Sequence, residues 1–169
     1  HARDTDMKKY FSTGNNKCKV DTVIFNGDLK SRDMPLNFTY NFSIPDYIKT
    51  IGKEKFVNMN LSKVLENSVV DTAKRKNPVE FRYTTTETNV VKLVIPENMK
   101  ATYIPPDRFF ESNMAGFKLS YTTNNNYVIL TKTIFFNTLQ LEKNQFNEWN
   151  KMCAELNKAY KELVILTEK

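Results

Sequence analysis

The chain has 169 residues, of which 40% are hydrophobic and 12% aromatic, which is enough for the core of one domain and far from the composition of a disordered protein. Its net charge of +6 comes mostly from lysines that are scattered along the sequence. A surface that binds nucleic acid gathers its basic and aromatic residues on one face, so this scatter argues against nucleic acid as a partner. No apolar run approaches the roughly 20 residues of a membrane-spanning helix, so we expect a chain that does not span a membrane.

The first predicted elements are two β-strands. We assign residues 1–14 to a flexible N-terminal segment and residues 15–169 to one β-sandwich domain. Residues 18–25 are rich in β-formers and end at the turn signal Asn26-Gly27-Asp28. Over residues 36–44, apolar and polar side chains alternate strictly, which predicts a half-buried antiparallel strand. The polar face of this strand consists of Asn37, Thr39, Asn41 and Ser43.

Short strands separated by turn residues continue through the middle of the chain. The segments with strand patterns are 56–61, 79–83, 90–95, 101–104, 116–121 and 127–136. The last two flank an asparagine-rich hairpin turn at residues 122–126. This series predicts a mainly β fold, an antiparallel β-sandwich. Residues 62–77 fit either a helical turn or a loop across a sheet edge, and the sequence leaves their path open.

The C-terminal region changes to a helical period. Apolar residues recur there at three- and four-residue steps, which is typical of one buried helix face: Phe146, Trp149, Cys153, Leu156, Tyr160 and Leu163. We therefore predict a helix over about 144–161 that is packed against the sandwich, with Asn144 as its N-cap. On this face we expect Trp149 to anchor the helix to the sheet and Cys153 to be a packed thiol. Residues 163–166 are apolar, include the β-branched pair Val164-Ile165 and predict a last strand.

Side chains suited to catalysis are scarce. The only histidine is His1, at a terminus that cannot hold an imidazole rigidly beside a nucleophile, and the only cysteines are Cys18 and Cys153. A zinc site needs three or four converging ligands. We predict no catalytic residue, no metal site, no cofactor and no enzymatic activity in this chain. The two cysteines are interpreted as structural thiols, and a single long-range disulfide is the alternative.

Two regions are candidate binding surfaces. One is the polar face of Asn37, Thr39, Asn41 and Ser43, and the other is the loop from Tyr103 to Arg108. Tyr103, Tyr121 and Tyr127 either stack on a ligand or pack across strands. An enzyme would need two carboxylates in a cleft, and the carboxylates belong to no recognisable motif.

The order of motifs in the second half resembles a known arrangement. Arg75 and Pro78 form an Arg-x-x-Pro element before a strand, the next strand ends at Pro96, and Tyr103-Ile104-Pro105 follows. This order resembles the region after the catalytic core in Bacteroidetes transglutaminase-like proteins. The resemblance covers residues 54–169 well and residues 1–53 loosely, and it includes the hairpin of 117–136 and the helix with Phe146 and Trp149.

The resemblance implies a protein with an N-terminal β-sandwich, a papain-like transglutaminase core and a C-terminal β-sandwich, of which this chain corresponds to the last. It implies export to the periplasm or cell surface, with any signal peptide outside this sequence. The family's catalytic residues belong to the middle domain and none is carried over, since no internal histidine exists here. We therefore expect a non-catalytic accessory domain whose partner is the upstream catalytic domain of the same protein. The alternative is an autonomous glycan- or peptide-binding module.

Overall fold

The chain divides into two units, His1–Tyr47 and Ile48–Lys169. A computed structural model describes residues 17–26, 33–35 and 37–169, so the predicted flexible segment 1–14 and residues 27–28 of the predicted turn lie outside the described residues. In the first unit, β1 (Lys19–Asn26) and β2 (Asn37–Ser43) form an antiparallel two-stranded sheet. Aromatic rings follow one another along it, with centroids 5.7–6.2 Å apart: Phe25, Phe38, Tyr40 and Phe42.

The second unit contains a four-stranded antiparallel sheet with the strand order β6-β10-β9-β8. Its strands are β6 (Thr85–Val94), β8 (Arg108–Glu111), β9 (Ala115–Thr123) and β10 (Tyr127–Phe136). The β9–β10 hairpin closes at Asn124, whose side-chain oxygen accepts hydrogen bonds from the backbone N–H groups of Asn126 and Tyr127 at 2.9 and 3.0 Å. An asparagine that binds its own turn in this way favours the hairpin that the sequence predicts.

A second four-stranded antiparallel sheet has the order β3-β4-β12-β7. Its strands are β3 (Lys49–Ile51), β4 (Glu54–Val57), β7 (Met99–Tyr103) and β12 (Val164–Glu168). Gly52, at a φ of 58°, makes the tight turn between β3 and β4. The short strands β5 (Val79–Glu80) and β11 (Gln140–Leu141) pair separately.

Helix α1 (Phe146–Ala159) follows a 3-10 turn at Lys143–Gln145 and lies against β8 and β9. The prediction of Asn144 as N-cap is wrong, because Asn144 lies inside the 3-10 turn. The turn is closed instead by Gln145, whose side-chain oxygen accepts from the backbone N–H of Glu142 at 2.8 Å. The helix is therefore two residues shorter at each end than the predicted range of 144–161.

One core joins these elements. Buried apolar side chains from α1, from the inner face of the β6-β10-β9-β8 sheet and from β4, β7 and β12 form a single cluster. Along β10 the burial alternates, so that Val128, Leu130 and Ile134 face the core. The described residues thus form mainly antiparallel sheets with one C-terminal helix, which confirms the predicted fold class. Among them, no helix combines the length and apolar character needed to cross a membrane.

The segment from Asn58 to Pro78 contains no helix or strand, and side chains of β10, of α1 and of Tyr160, the residue after α1, hold its backbone. The donors to its carbonyl oxygens are Lys132 to Ser62, Tyr160 to Val64 (2.8 Å), Trp149 to Ser68 (2.7 Å) and Asn150 to Val70 (2.8 Å). The side-chain oxygen of Asn150 also accepts from the Val70 N–H at 2.7 Å. This loop satisfies its polar backbone without regular structure, so of the two paths left open for residues 62–77 the structure shows the loop.

Candidate functional site

The first predicted surface, on β2, is an exposed row. Asn37, Thr39, Asn41 and Ser43 are all exposed on one face of the two-stranded sheet. The row offers only small amide and hydroxyl groups and contains no charged side chain.

The second predicted surface brings its two named residues together. Tyr103 is the last residue of β7 and Arg108 is the first of β8. The hydroxyl of Tyr103 donates to Glu162 Oε2 at 3.3 Å, and Arg108 Nη2 donates to Glu162 Oε1 at 3.5 Å. Glu162 lies between α1 and β12, so its carboxylate ties the end of β7 and the start of β8 to a segment that is more than 50 positions away in sequence. No sequence pattern distinguishes Glu162 from other charged residues off the helical face, so it was not predicted.

Two further residues extend this group. Asp107 Oδ1 accepts from the backbone N–H of Tyr121 at 2.9 Å, which fixes the loop before β8 to β9. Tyr121 is half-buried, and burial raises its pKa to about 12. The nearby Asn60 amide lowers the pKa of this phenol, and the carboxylates of Glu162 and Asp107 raise it. The phenol is therefore a neutral hydroxyl, able to donate and accept, over the physiological pH range.

Asn60 lies at the buried end of the group. Its exposed fraction is 2%, and neither Nδ2 nor Oδ1 has a hydrogen-bond partner among the described residues. The side chain lies close enough to the Tyr121 hydroxyl to favour its ionised form. Buried amide groups are nearly always paired, so an unpaired one marks an unusual position. We call this group the Glu162 cluster; it consists of Asn60, Tyr103, Asp107, Arg108, Tyr121 and Glu162.

The Glu162 cluster is suited to binding by hydrogen bonds. The side chains of Arg108 and Glu162 are 47% and 26% exposed, and an ion pair of this exposure contributes little to stability. Their contact is long, so either group can exchange its partner for a ligand at small cost. No group of three or more side chains in the described part of the chain has a geometry that could hold a metal ion.

Lys132 is a buried charge that sequence reasoning missed. It is 2% exposed on the inner face of β10, where its ammonium group donates to the Ser62 carbonyl and lies 5.0 Å from the centroid of the Tyr160 ring. Burial lowers its pKa to about 8. The alternation of β10 could have revealed it, because position 132 shares the parity of Val128 and Leu130. Its contacts assign it a structural role in holding the loop.

The cysteines and Trp149 have structural surroundings. Cys18 and Cys153 are both free thiols. Cys153 is buried, and burial raises its pKa to about 11, which confirms the prediction of a packed thiol. Trp149 is buried as predicted, and it anchors α1 to the loop through Ser68 as well as to Phe81, whose ring centroid lies 5.5 Å away.

The chain belongs to the DUF3858 family, described as a domain of unknown function with a solved structure, whose family profile matches residues 50–166. This match lies inside the second unit of the chain. No curated protein matches the sequence.

A crystal structure of a protein named a "putative protease", from Parabacteroides distasonis, is similar in fold, with a TM-score of 0.50 and 16% sequence identity. The similarity covers 59% of this chain and 20% of the neighbour, so the matched domain spans about a fifth of that protein. At this identity the likeness concerns the fold alone.

Proposed function

We propose that this chain is a non-catalytic accessory domain of a larger exported protein, and that it packs against a transglutaminase- or protease-like core or positions partners for it. The observation that carries the proposal is the similarity to one fifth of a much longer protein named as a protease. The order of motifs that resembles the C-terminal domain of transglutaminase-like proteins supports the same placement. The proposal puts the domain in the periplasm or at the cell surface.

The burial of two nucleophilic side chains of the second unit, Cys153 and Lys132, supports a non-catalytic role. Cys153 is buried with a raised pKa, so its thiol is neutral and inaccessible near neutral pH. The ammonium group of Lys132 is likewise buried and engaged with the Ser62 carbonyl. Neither group can reach a substrate without opening the core.

A partly apolar surface is available for contact with such a core. Val90, Val94 and Phe109 are 66%, 67% and 78% exposed, and their positions place them on the outer face of the β6-β10-β9-β8 sheet. Beside Phe109 lies an open groove of about 510 Å³ that includes Lys118 and Phe135. Exposed apolar side chains thus stand at both edges of this face, on β6 and on β8, and a contact with another domain would bury them.

The test is co-expression with the catalytic region encoded in the same gene. We expect the two parts to co-purify and the thermal stability or activity of the core to change. Phe109→Ser should weaken the association, whereas Val69→Ser, an exposed apolar position in the loop (55%), is the matched control. If the parts do not associate and the core is unaffected, the accessory role is wrong.

A second candidate function is an autonomous glycan- or peptide-binding module. The convergence of Tyr103 and Arg108 on Glu162 favours it, because the predicted residues meet at one polar and accessible group. Binding screens with oligosaccharides and with peptides test this function. The absence of any signal in both screens would count against it.

A further inference from the structure

We propose that residues 62–70, which we call the strap, open cooperatively while both four-stranded sheets stay folded, and that hydration of Lys132 favours this opening. Opening of the strap brings Lys132 and Cys153 into contact with solvent. The strap is therefore a gate over these two buried side chains. This inference does not depend on either proposed function.

The strap is held by side chains rather than by pairing with a strand. It contains no helix or strand, and its internal backbone hydrogen bonds are two turn contacts of 3.1 Å, from Glu66 to Lys63 and from Ser68 to Leu65. Side chains outside the strap bind the backbone along its length: Lys132, Trp149, Asn150 and Tyr160. Loss of these contacts breaks no sheet, so the strap can detach while the sheets keep their pairing.

The closed strap carries backbone strain. Leu65 and Asn67 have φ angles of 63° and 61°, in the left-handed region that favours glycine. Asparagine tolerates this region, but a bulky leucine adopts it only where the surrounding contacts impose it. Opening relieves the strain at Leu65 and so lowers the cost of detaching the strap.

The buried charge of Lys132 adds a second reason for the strap to open. Its side chain is 2% exposed, and the neighbours of its ammonium group are the Ser62 carbonyl and the Tyr160 ring. Burial lowers its pKa to about 8, so near neutral pH the group is mostly charged and lacks its full hydration. Glu87 on β6 favours the charged form, whereas Lys63 on the strap opposes it. Detachment of Ser62 admits water to the ammonium group, so the charge favours the open strap.

Cys153 provides a reporter for the opening. Its side chain is 0% exposed, and Sγ lies 3.8 Å from the Ser68 carbonyl oxygen, which also accepts from Trp149 at 2.7 Å. A thiol in this position cannot meet a reagent while the strap is closed. Release of Ser68 uncovers it, so the rate at which Cys153 is modified measures the opening.

The test is the rate at which a soluble disulfide reagent modifies Cys153 near neutral pH, in a full chain in which Cys18→Ser removes the other thiol. We expect modification that hardly changes with urea below the unfolding transition, because opening the strap exposes far less surface than global unfolding. Tyr160→Phe removes one donor to the strap and should speed modification about fivefold. Lys132→Met should slow it about tenfold or more, since no buried charge remains to be hydrated.

Tyr83→Phe is the matched control for the tyrosine substitution, because Tyr83 is 66% exposed and lies outside the strap. It should leave the rate unchanged. A second pair of variants repeats the comparison at the other end of the strap: Asn150→Ala removes the contacts with Val70 and should also speed modification, whereas Asn147→Ala on the same helix should not. Thermal unfolding shows which variants are folded, and either pair alone is sufficient.

Each outcome decides the proposal. Faster modification in the tether variants and slower modification in Lys132→Met support it. A rate that rises steeply with urea from the lowest concentrations overturns it, because Cys153 is then uncovered only by global unfolding. Complete protection of the thiol also overturns it, as does faster modification in Lys132→Met, which would make Lys132 a net tether of the strap.

Discussion

At the residue scale, Asn58 and Asn60 differ in how their side chains are satisfied, although they are two positions apart. Asn58 Nδ2 donates to the Tyr160 carbonyl at 2.9 Å, and its side-chain oxygen accepts from the Asn60 backbone N–H at 2.8 Å. The side chain of Asn60 is buried and has no hydrogen-bond partner among the described residues. Replacing Asn58 breaks hydrogen bonds, whereas replacing Asn60 removes an unsatisfied polar group.

We therefore expect Asn58→Leu to lower the free energy of unfolding by about 1–3 kcal/mol, because it leaves a backbone carbonyl and N–H without partners. Asn60→Leu should leave the free energy of unfolding unchanged or raise it. Urea unfolding followed by circular dichroism measures both variants. Equal destabilisation by the two substitutions would show that the Asn60 amide is paired in solution.

Lys132 predicts a pH dependence of stability. Its pKa falls from 10.5 to about 8 on folding because burial disfavours the charged form. Between these two pH values the unfolded chain binds more protons at Lys132 than the folded chain does. Lys132 therefore makes the free energy of unfolding rise with pH from about 8 to 10.5, and it has no such effect below pH 8. The stability of the native chain minus that of Lys132→Met should rise by a few kcal/mol over this range.

Chemical denaturation of both proteins at a series of pH values measures this difference. Cys153 acts in the opposite direction, because its raised pKa makes stability fall between pH 9 and about 11. That contribution is common to both proteins and cancels in the difference. A flat difference would mean that Lys132 titrates normally in the folded protein.

At the scale of elements, α1 and the loop from Asn58 to Pro78 support each other. Asn150 makes two hydrogen bonds with the backbone of Val70, and Trp149 donates to Ser68. Asn150→Ala should therefore speed amide hydrogen exchange at Val70 by about tenfold or more, since the Val70 N–H loses the acceptor that the described residues provide for it. Asn147, which is exposed on the same helix, provides the control Asn147→Ala, with no expected change.

Gly116 on β9 has a packing requirement. A Cβ atom there would lie 2.5 Å from the Phe110 carbonyl oxygen and 2.6 Å from Cζ of Phe135, whose ring crosses the glycine. Gly116→Ala should lower the free energy of unfolding by about 1–3 kcal/mol through overpacking. Ser120→Ala, at the same parity on the same strand, is the control, and thermal unfolding of both variants checks the difference. A neutral Gly116→Ala variant would mean that the sheet shifts freely at this point.

Sequence patterns predicted the elements that repeat over many residues. The β9–β10 hairpin and α1 were found because their periods persist for nine residues or more. The strand predicted over 56–61 ends at Val57 instead, because the side chain of Asn58 takes the N–H of Asn60 and bends the chain away from a ladder. β8 was missed because Arg108–Glu111 shows no alternation and pairs only with β9.

At the scale of the whole molecule, the division into two units agrees with the extent of the family match. The profile covers residues 50–166, and the second unit is Ile48–Lys169, which includes the whole buried core. We expect a fragment of residues 48–169 to fold alone, with a thermal midpoint within a few degrees of the full chain. Circular dichroism and a dispersed amide NMR spectrum check this. An unfolded fragment would show that residues 1–47 are needed for the core.

The fold class was predictable from the sequence, but the assignment of strands to sheets was not. The pattern over residues 36–44 is the most regular alternation in the chain, yet β2 pairs with β1 in a sheet of two strands. Alternation shows which face of a strand is apolar, and it does not show which strands will be its neighbours. The Glu162 cluster was only half predictable for the same reason. Tyr103 and Arg108 flank the proline pair 105–106 and are near each other in sequence, whereas Asn60, Tyr121 and Glu162 join them through the tertiary fold alone.

The position of β6 has a consequence for how the protein behaves at high concentration. Among the described strands β6 is at an edge of its sheet, it is ten residues long, and Val90 and Val94 are exposed on it. An edge of this length and character is open to pairing with a strand of another molecule, which leads to aggregation. Lys92 stands between the two valines, with its ammonium group 4.6 Å from the centroid of the Tyr127 ring. A charge at this position between two exposed valines disfavours such pairing, and we expect Lys92→Val to promote aggregation at high concentration.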